Sequence, residues 1–172
     1  SRVELLSLLE RQRTLTENAS ERIADYGNLM RSFKKVSSNK GTGGIDGMDT
    51  EGLSQWLGNH IHELRNEILT GNYQVSSVRK VEISKPDGGL RILGIPTVKD
   101  RLVQQAIHQE LVRWYDPLFS NSSYGFRPGR SAHEAIEQAS AYVREGKEWV
   151  VDIDLENFFD KINHDRLMQR LS

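Results

Sequence analysis

The chain is 172 residues long and carries 23 lysines and arginines against 24 aspartates and glutamates, a formal net charge of −1. Its 37% hydrophobic content suits one compact unit, or one and a half, under a polar surface. The absence of cysteine excludes disulfides, thiol catalysis and cysteine-based zinc sites. No apolar run approaches a membrane span, so no membrane partner is expected. With no secretory pattern at its start, the cytoplasm is the default compartment.

The elements follow in chain order. Val3 to about Gln12 reads as a short amphipathic helix. Ser20 is read as the cap of a second helix to about Val36, with Ile23, Tyr26, Leu29, Met30 and Phe33 on one face. Gly41, Gly43, Gly44 and Gly47 then mark a loop with special backbone angles, either a connector or a loop that hugs phosphates or closes as a lid. Thr50 is expected to cap a helix carrying Leu53, Trp56, Leu57, Ile61, Leu64 and Ile68, which Gly71 ends. Val78 to Ile83 alternates as a strand, Pro86-Asp87-Gly88-Gly89 signals a turn, and Leu90 to Leu93 reads as the return strand. Gly94-Ile95-Pro96 breaks that pattern. Thr97 opens a helix, with Asp100 in its first turn, that runs to about Trp114.

Residues 120–130 form a loop. Ser131 and Glu134 have the spacing of a capping box, and the helix they open ends at Gly146. Glu148 to Asp154 is read as a strand, and Asn163 as the cap of a helix from His164 to Leu171. The class is α+β, helix-rich with a β-hairpin and a short antiparallel sheet.

Charge is unevenly spread. Residues 79–130 hold 9 basic and 5 acidic residues, and residues 131–172 hold 5 and 9. A basic middle suits phosphates and an acidic end suits cations, although such swings also occur on solvated faces.

Three constellations carry candidate chemistry. Asp152 and Asp154, two apart on a strand, share one face. They read either as Mg²⁺ ligands, with substrate phosphates completing the shell, or as exposed edge acids. If Asp154 is the ligand, Phe159 lies one turn on, under an incoming sugar, where its ring would clash with a 2′-hydroxyl. Phe158 reads as core. Lys85 and Arg91 on the hairpin read either as a triphosphate grip or as a solvated basic arm. Tyr124-Gly125-Phe126-Arg127-Pro128-Gly129-Arg130 suits stacking on bases and pairing with phosphates, or an ordered loop anchored by its aromatics. His133 and His164 show no ligand spacing to one another and read as surface or capping residues.

In this order and spacing the motifs resemble those of group II intron-encoded reverse transcriptases, the maturases. The resemblance rests on Val81 to Gly89, Leu93 to Thr97, Asp100-Arg101, Gln104 to Ala106, Tyr124 to Ala132 and Asp152 to Asp160, with Gly43 to Gly47 resembling the family's N-terminal template-facing loop. It covers roughly residues 28 to 172. The motifs favour the intron branch over the retron, diversity-generating and CRISPR-associated branches.

The resemblance implies a right-hand polymerase fold. Residues 1–27 would be an N-terminal helical segment, 28–77 the N-terminal extension, 78–146 the fingers and 147–172 the start of the palm. It implies Asp154 as the catalytic metal ligand, with the Leu155 carbonyl also on the metal, and Lys85, Arg91, Leu155 and Phe159 at the dNTP. Gly43, Gly44, Arg79, Arg101, Gln104 and Arg127 would meet RNA, Arg127 either against the template or in support of the fingers. The implied cofactor is Mg²⁺, two ions in a complete enzyme. The implied partners are group II intron RNA, an RNA template with a DNA primer, and dNTP. The alternative is an RNA-binding splicing module.

Ser84 stands where the family usually has proline, and residues 1–27 align poorly. The family's second catalytic motif contains adjacent aspartates, and no Asp-Asp pair occurs in this sequence. The chain is therefore expected to be a fragment, inactive by itself, whose exposed sheet edge would favour a homodimer.

Overall fold

The computed structural model describes residues 18–84, 86 and 88–171, except the side chains at 160, 170 and 171. The first expected helix and Lys85 therefore lie outside the described residues. The rest of the chain is helix-rich with one antiparallel hairpin, as the α+β reading requires. It divides into two compact units, one reaching Trp114 and one beginning at Tyr115.

The first unit contains α1 (Ala19–Ile23), α2 (Tyr26–Ser38), α3 (Thr50–Leu69), β1 (Arg79–Ser84), β2 (Leu90–Ile95) and α4 (Val98–Tyr115, whose last residue opens the second unit). The second helix of the sequence reading is in fact two. Asp25 takes extended angles and its carboxylate accepts the Asn28 N–H at 2.9 Å, which caps α2 and breaks the chain after α1. Ser20 lies inside α1, which begins after Asn18. Thr50 is likewise displaced as a cap. Asp49 accepts from the amides of Glu51 and Gly52 at 3.1 and 2.8 Å, and Thr50 becomes the first helical residue.

Leu29 and Val36 of α2, Leu53, Leu57, Ile61 and Leu64 of α3, and Val98, Leu102, Val103 and Ala106 of α4 form the core. The spacing of Leu53, Leu57, Ile61 and Leu64 is one helical stripe, which is why α3 buries that face. A polar seam crosses this core. Asn28 is fully buried; its amide donates to the carbonyls of Ile23 and Ala106, both at 3.1 Å, and its Oδ1 accepts from Gln109 at 2.7 Å. Gln109 also donates to the Ser32 hydroxyl at 2.9 Å. Asn28→Ala leaves two carbonyls and the Gln109 amide short of a partner. It should destabilise the unit by about 2–3 kcal/mol, read as a lower urea midpoint at unchanged slope.

β1 and β2 pair from Arg79↔Ile95 to Ser84↔Leu90. β2 extends through Ile95, past the break expected at Gly94, because Gly94 pairs with Lys80 in the ladder. Arg79, Val81, Leu93 and Ile95 share one face and are half-buried, whereas Lys80, Glu82 and Ile92 face outward.

The second unit holds a 3₁₀ turn (Asp116–Leu118), α5 (Ala132–Arg144), a second 3₁₀ turn (Phe159–Lys161) and α6 (His164–Leu171). The capping box forms: the Ser131 hydroxyl accepts the Glu134 amide and the Glu134 carboxylate accepts the Ser131 amide at 2.7 Å. Asn163 caps α6 by accepting the Arg166 amide at 2.9 Å. The strand expected over Glu148 to Asp154 is absent. That segment has no ladder partner among the described residues, and Trp149, Val150, Val151 and Ile153 are all more than four-fifths exposed. A strand is completed by its partner, and a β-branched run without one stays unpaired. Phe158, expected in the core, is half exposed for the same want of a covering layer.

Candidate nucleotide and nucleic-acid site

The glycine loop is not a free connector. A Cβ on Gly44 would stand 2.6 Å from the Thr97 Cα and 2.7 Å from its nitrogen, and one on Gly43 would stand 2.6 Å from the Met48 carbonyl oxygen. Both glycines are therefore demanded by backbone-to-backbone approach. The loop is also tied to α4, where the Arg101 guanidinium donates to the Thr42 carbonyl at 2.6 Å. Arg101 and Gln104 line one cavity of about 320 Å³ with Val36, Asn39, Gln105 and His108. Among the described residues the Arg101 Nε is buried with no acceptor, as is the Arg79 Nε at the base of the hairpin. Four of the residues expected to meet RNA (Gly43, Gly44, Arg101 and Gln104) are thus gathered where the loop meets α4.

The hairpin carries Arg91 exposed on β2, opposite Ile83. Its roots converge on Asp100, which the sequence marks as a first-turn carboxylate and as part of the family resemblance but not as a buried anchor. Asp100 is 1% exposed. Its carboxylate accepts the Thr97 hydroxyl at 2.6 Å, the Tyr73 hydroxyl at 2.8 Å and the Ser76 amide at 3.4 Å. Burial first, and then the Asp100 carboxylate, hold the Tyr73 phenol proton far above the ordinary tyrosine range.

In the second unit Arg127 is committed to its own loop. It donates to the Asp116 carboxylate at 2.7 Å, to the Asp116 carbonyl at 2.9 Å, and to the Ser120 and Ser123 carbonyls at 2.8 and 3.0 Å. Its guanidinium also lies 5.4 Å from the Phe119 ring centre. The hydrogen bond from Arg127 holds the Asp116 carboxyl below its ordinary range, and the Arg127 pKa is raised in turn. A depressed carboxylate contributes above its unfolded pKa and is lost as pH falls through the folded one. The loop should therefore keep its order through pH 4 and open only below the ordinary aspartate value. Arg127→Lys cannot reproduce the planar fork. It should make residues 116–127 cleavable at neutral pH, measured by limited proteolysis. Beside Arg127, Phe126 is fully exposed at φ 56°, an angle rare for a bulky residue and invisible in sequence.

Asp154, Leu155 and Phe159 lie in the second unit and are exposed. Asp154 Oδ1 accepts the Leu155 amide at 2.9 Å. A carboxylate and a carbonyl are hard oxygen donors, the kind Mg²⁺ takes. They do not by themselves fit a two-metal centre, and no group of three or more His, Asp or Glu among the described residues supplies the remainder.

Residues 83–172 match the family model described as reverse transcriptase (RNA-dependent DNA polymerase). The chain belongs to the reverse transcriptase family. Among its relatives, Protein YkfC of Escherichia coli is 39% identical over 147 residues, covering 82% of this chain and 39% of the relative. Group II intron-encoded protein LtrA of Lactococcus lactis subsp. cremoris is 33% identical over 173 residues, covering 92% of this chain and 28% of the relative. An uncharacterized 91 kDa protein in cob intron of Schizosaccharomyces pombe is 34% identical over 143 residues, covering 82% and 17%. These matches uphold the resemblance to group II intron-encoded reverse transcriptases. The chain spans well under half the length of each of these relatives. Among the described residues no helix of this reverse transcriptase chain is long and apolar enough to cross a membrane.

Proposed function

We propose that this chain forms the fingers and the start of the palm of a group II intron maturase, an RNA-directed DNA polymerase that extends a DNA primer on an RNA template. The observation that carries the reading is the family match across residues 83–172, which takes in the end of β1, all of β2, the Arg127 loop and the segment around Asp154. In this reading Lys85 and Arg91 grip the triphosphate, and Phe159 excludes the 2′-hydroxyl of a ribonucleotide. Asp154 and the Leu155 carbonyl contribute their share of a Mg²⁺ site that other residues complete. Residues 28–77 serve as the template-facing extension, 78–146 as the fingers and 147–172 as the start of the palm. The exposed run from Trp149 to Ile153 is then a palm strand that pairs when a neighbour is supplied. The 172-residue chain alone should incorporate no dNTP on a primed RNA template; template-dependent incorporation by it would overturn the division of the site.

A second reading, an RNA-binding module that assists splicing of intron RNA, draws on the cavity lined by Arg101 and Gln104 beside the glycine loop. Arg101 bonds the loop backbone through one nitrogen and leaves its Nε without an acceptor. RNA binding by the chain should weaken steeply with salt. Arg101→Ala should reduce the slope of log K against log salt by about 0.7–0.9, the share of one phosphate contact. Filter binding across a salt series reads this directly, and a salt-insensitive isotherm would count against the module.

A further inference from the structure

Among the described residues of the first unit two carboxylates are buried, and they are satisfied differently. Glu110 is 6% exposed and meets Arg22 and Arg113, both at 3.3 Å. Asp100 meets no cation among the described residues; its donors are two hydroxyls and an amide. A buried carboxylate without a counter-ion is costly, and its place in the first turn of α4 offsets only part of that cost.

The geometry shows what the charge holds. Oδ1 accepts from Tyr73 and Ser76, which lie on the chain entering β1. Oδ2 accepts from Thr97, on the chain leaving β2. The outermost ladder pair, Arg79↔Ile95, lies directly between these two roots. No described hairpin residue belongs to the buried core, its covered face is only half-buried, and a two-stranded hairpin has little stability of its own. Its pose on the helices is therefore set at its roots. Thr97 is also the residue on which Gly44 rests, so the same carboxylate steadies the seat of the glycine loop.

We propose that Asp100 is the positioning residue of the hairpin arm: one buried carboxylate, through Tyr73, Ser76 and Thr97, fixes both roots of the arm that bears Lys85 and Arg91. Its consequence for nucleotide binding rests on the reading of those two cations as the triphosphate grip. Asp100 touches no substrate in this scheme; it acts through the arm.

Amide hydrogen exchange on the 172-residue chain tests the anchoring without reference to polymerisation. Tyr73→Phe removes one hydroxyl and little else, and Thr97→Val removes one that also accepts the Asp100 amide at 3.1 Å at the start of α4. Each should speed exchange across Arg79–Ile95 about tenfold, with the amides of α3 and of Leu102–Glu110 unchanged. Thr97→Ser, which keeps the hydroxyl, should behave as wild type. Asp100→Asn should give the largest effect, and the two milder variants decide the matter if it fails to fold. Unchanged hairpin exchange, equal loss of protection in α3, or a Thr97→Ser variant that behaves like Thr97→Val would each overturn the proposal.

Binding of dTTP supplies a second readout, which a purely structural role would leave alone. Thr97→Val should weaken it about tenfold while Thr97→Ser does not. Wild-type chain that fails to bind dTTP, with the exchange pattern intact, supports the anchoring and removes the triphosphate reading.

Discussion

Gly44→Ala is expected to dislodge the glycine loop and to cost the first unit about 1–3 kcal/mol. The added methyl would sit 2.6 Å from the Thr97 Cα and 3.0 Å from the Pro96 carbonyl carbon, and neither is a side-chain end that can swing away. The loop must lift, and the bond from Arg101 to the Thr42 carbonyl lifts with it. Because Thr97 also anchors Asp100, the damage should spread to the hairpin roots. Gly47→Ala makes a useful contrast. Gly47 has open space around it but a φ of 71°, so its penalty is conformational and about 1 kcal/mol. Urea unfolding should rank the two variants in that order. RNA binding should fall with Gly44→Ala far more than with Gly47→Ala. Equal effects from both would mean that the close approach to Thr97 has no role in binding.

How much of this was legible in the sequence depended on how local the deciding contact is. Ser131 and Glu134 are three residues apart and satisfy each other, so the start of α5 could be read directly. The same holds for Asn163 and Arg166, and for the hairpin, whose turn signal lies between its strands. Asp49 and Asp25 were missed as caps because a polar residue one or several positions away looked equally suitable, and backbone angles alone separate them. The polar seam was out of reach for another reason. Asn28 and Gln109 are 81 residues apart, and nothing in either segment marks them as buried partners. The strand over Glu148 to Asp154 failed in the opposite direction. Its β-branched residues signal a strand, but pairing is supplied from elsewhere, and the described residues contain no neighbour for it.

The candidate site divides the same way. The residue types and spacings around Asp154, Arg91 and Gly43-Gly44 carried the family resemblance, since motif spacing is a property of sequence. The commitment of Arg127 to Asp116, Ser120 and Ser123 is a property of a folded loop and appears only in three dimensions. So does the role of Asp100, whose three donors come from segments up to 27 residues away.

Asp154→Ala, placed in a longer reverse transcriptase that carries this chain, is expected to reduce primer extension by more than about a hundredfold. Loss of a group that merely supports a metal ligand already costs about 10- to 100-fold, and removing the ligand itself should cost more. RNA affinity should stay within about twofold of wild type, because Gly43, Gly44, Arg79, Arg101 and Gln104 lie in the first unit, and Arg127, the other residue expected to meet RNA, is bonded within its own loop. Asp152→Ala should leave extension within a few-fold of wild type, since the family resemblance assigns the metal to Asp154. Strong loss of RNA binding by Asp154→Ala would show that the residue holds structure rather than metal. Equal loss from both substitutions would show that the two acids act together.

In the proposed function, this chain belongs to the part of an RNA-directed DNA polymerase that grips and selects the incoming nucleotide. Primer extension on an RNA template tests it most directly, using a longer protein containing this chain, Mg²⁺, and either dNTPs or rNTPs. The predicted result is extension with dNTPs and little with rNTPs, with the preference reduced at least about tenfold in Phe159→Ala. No extension with either substrate, or a preference for dNTPs that survives Phe159→Ala unchanged, would contradict it.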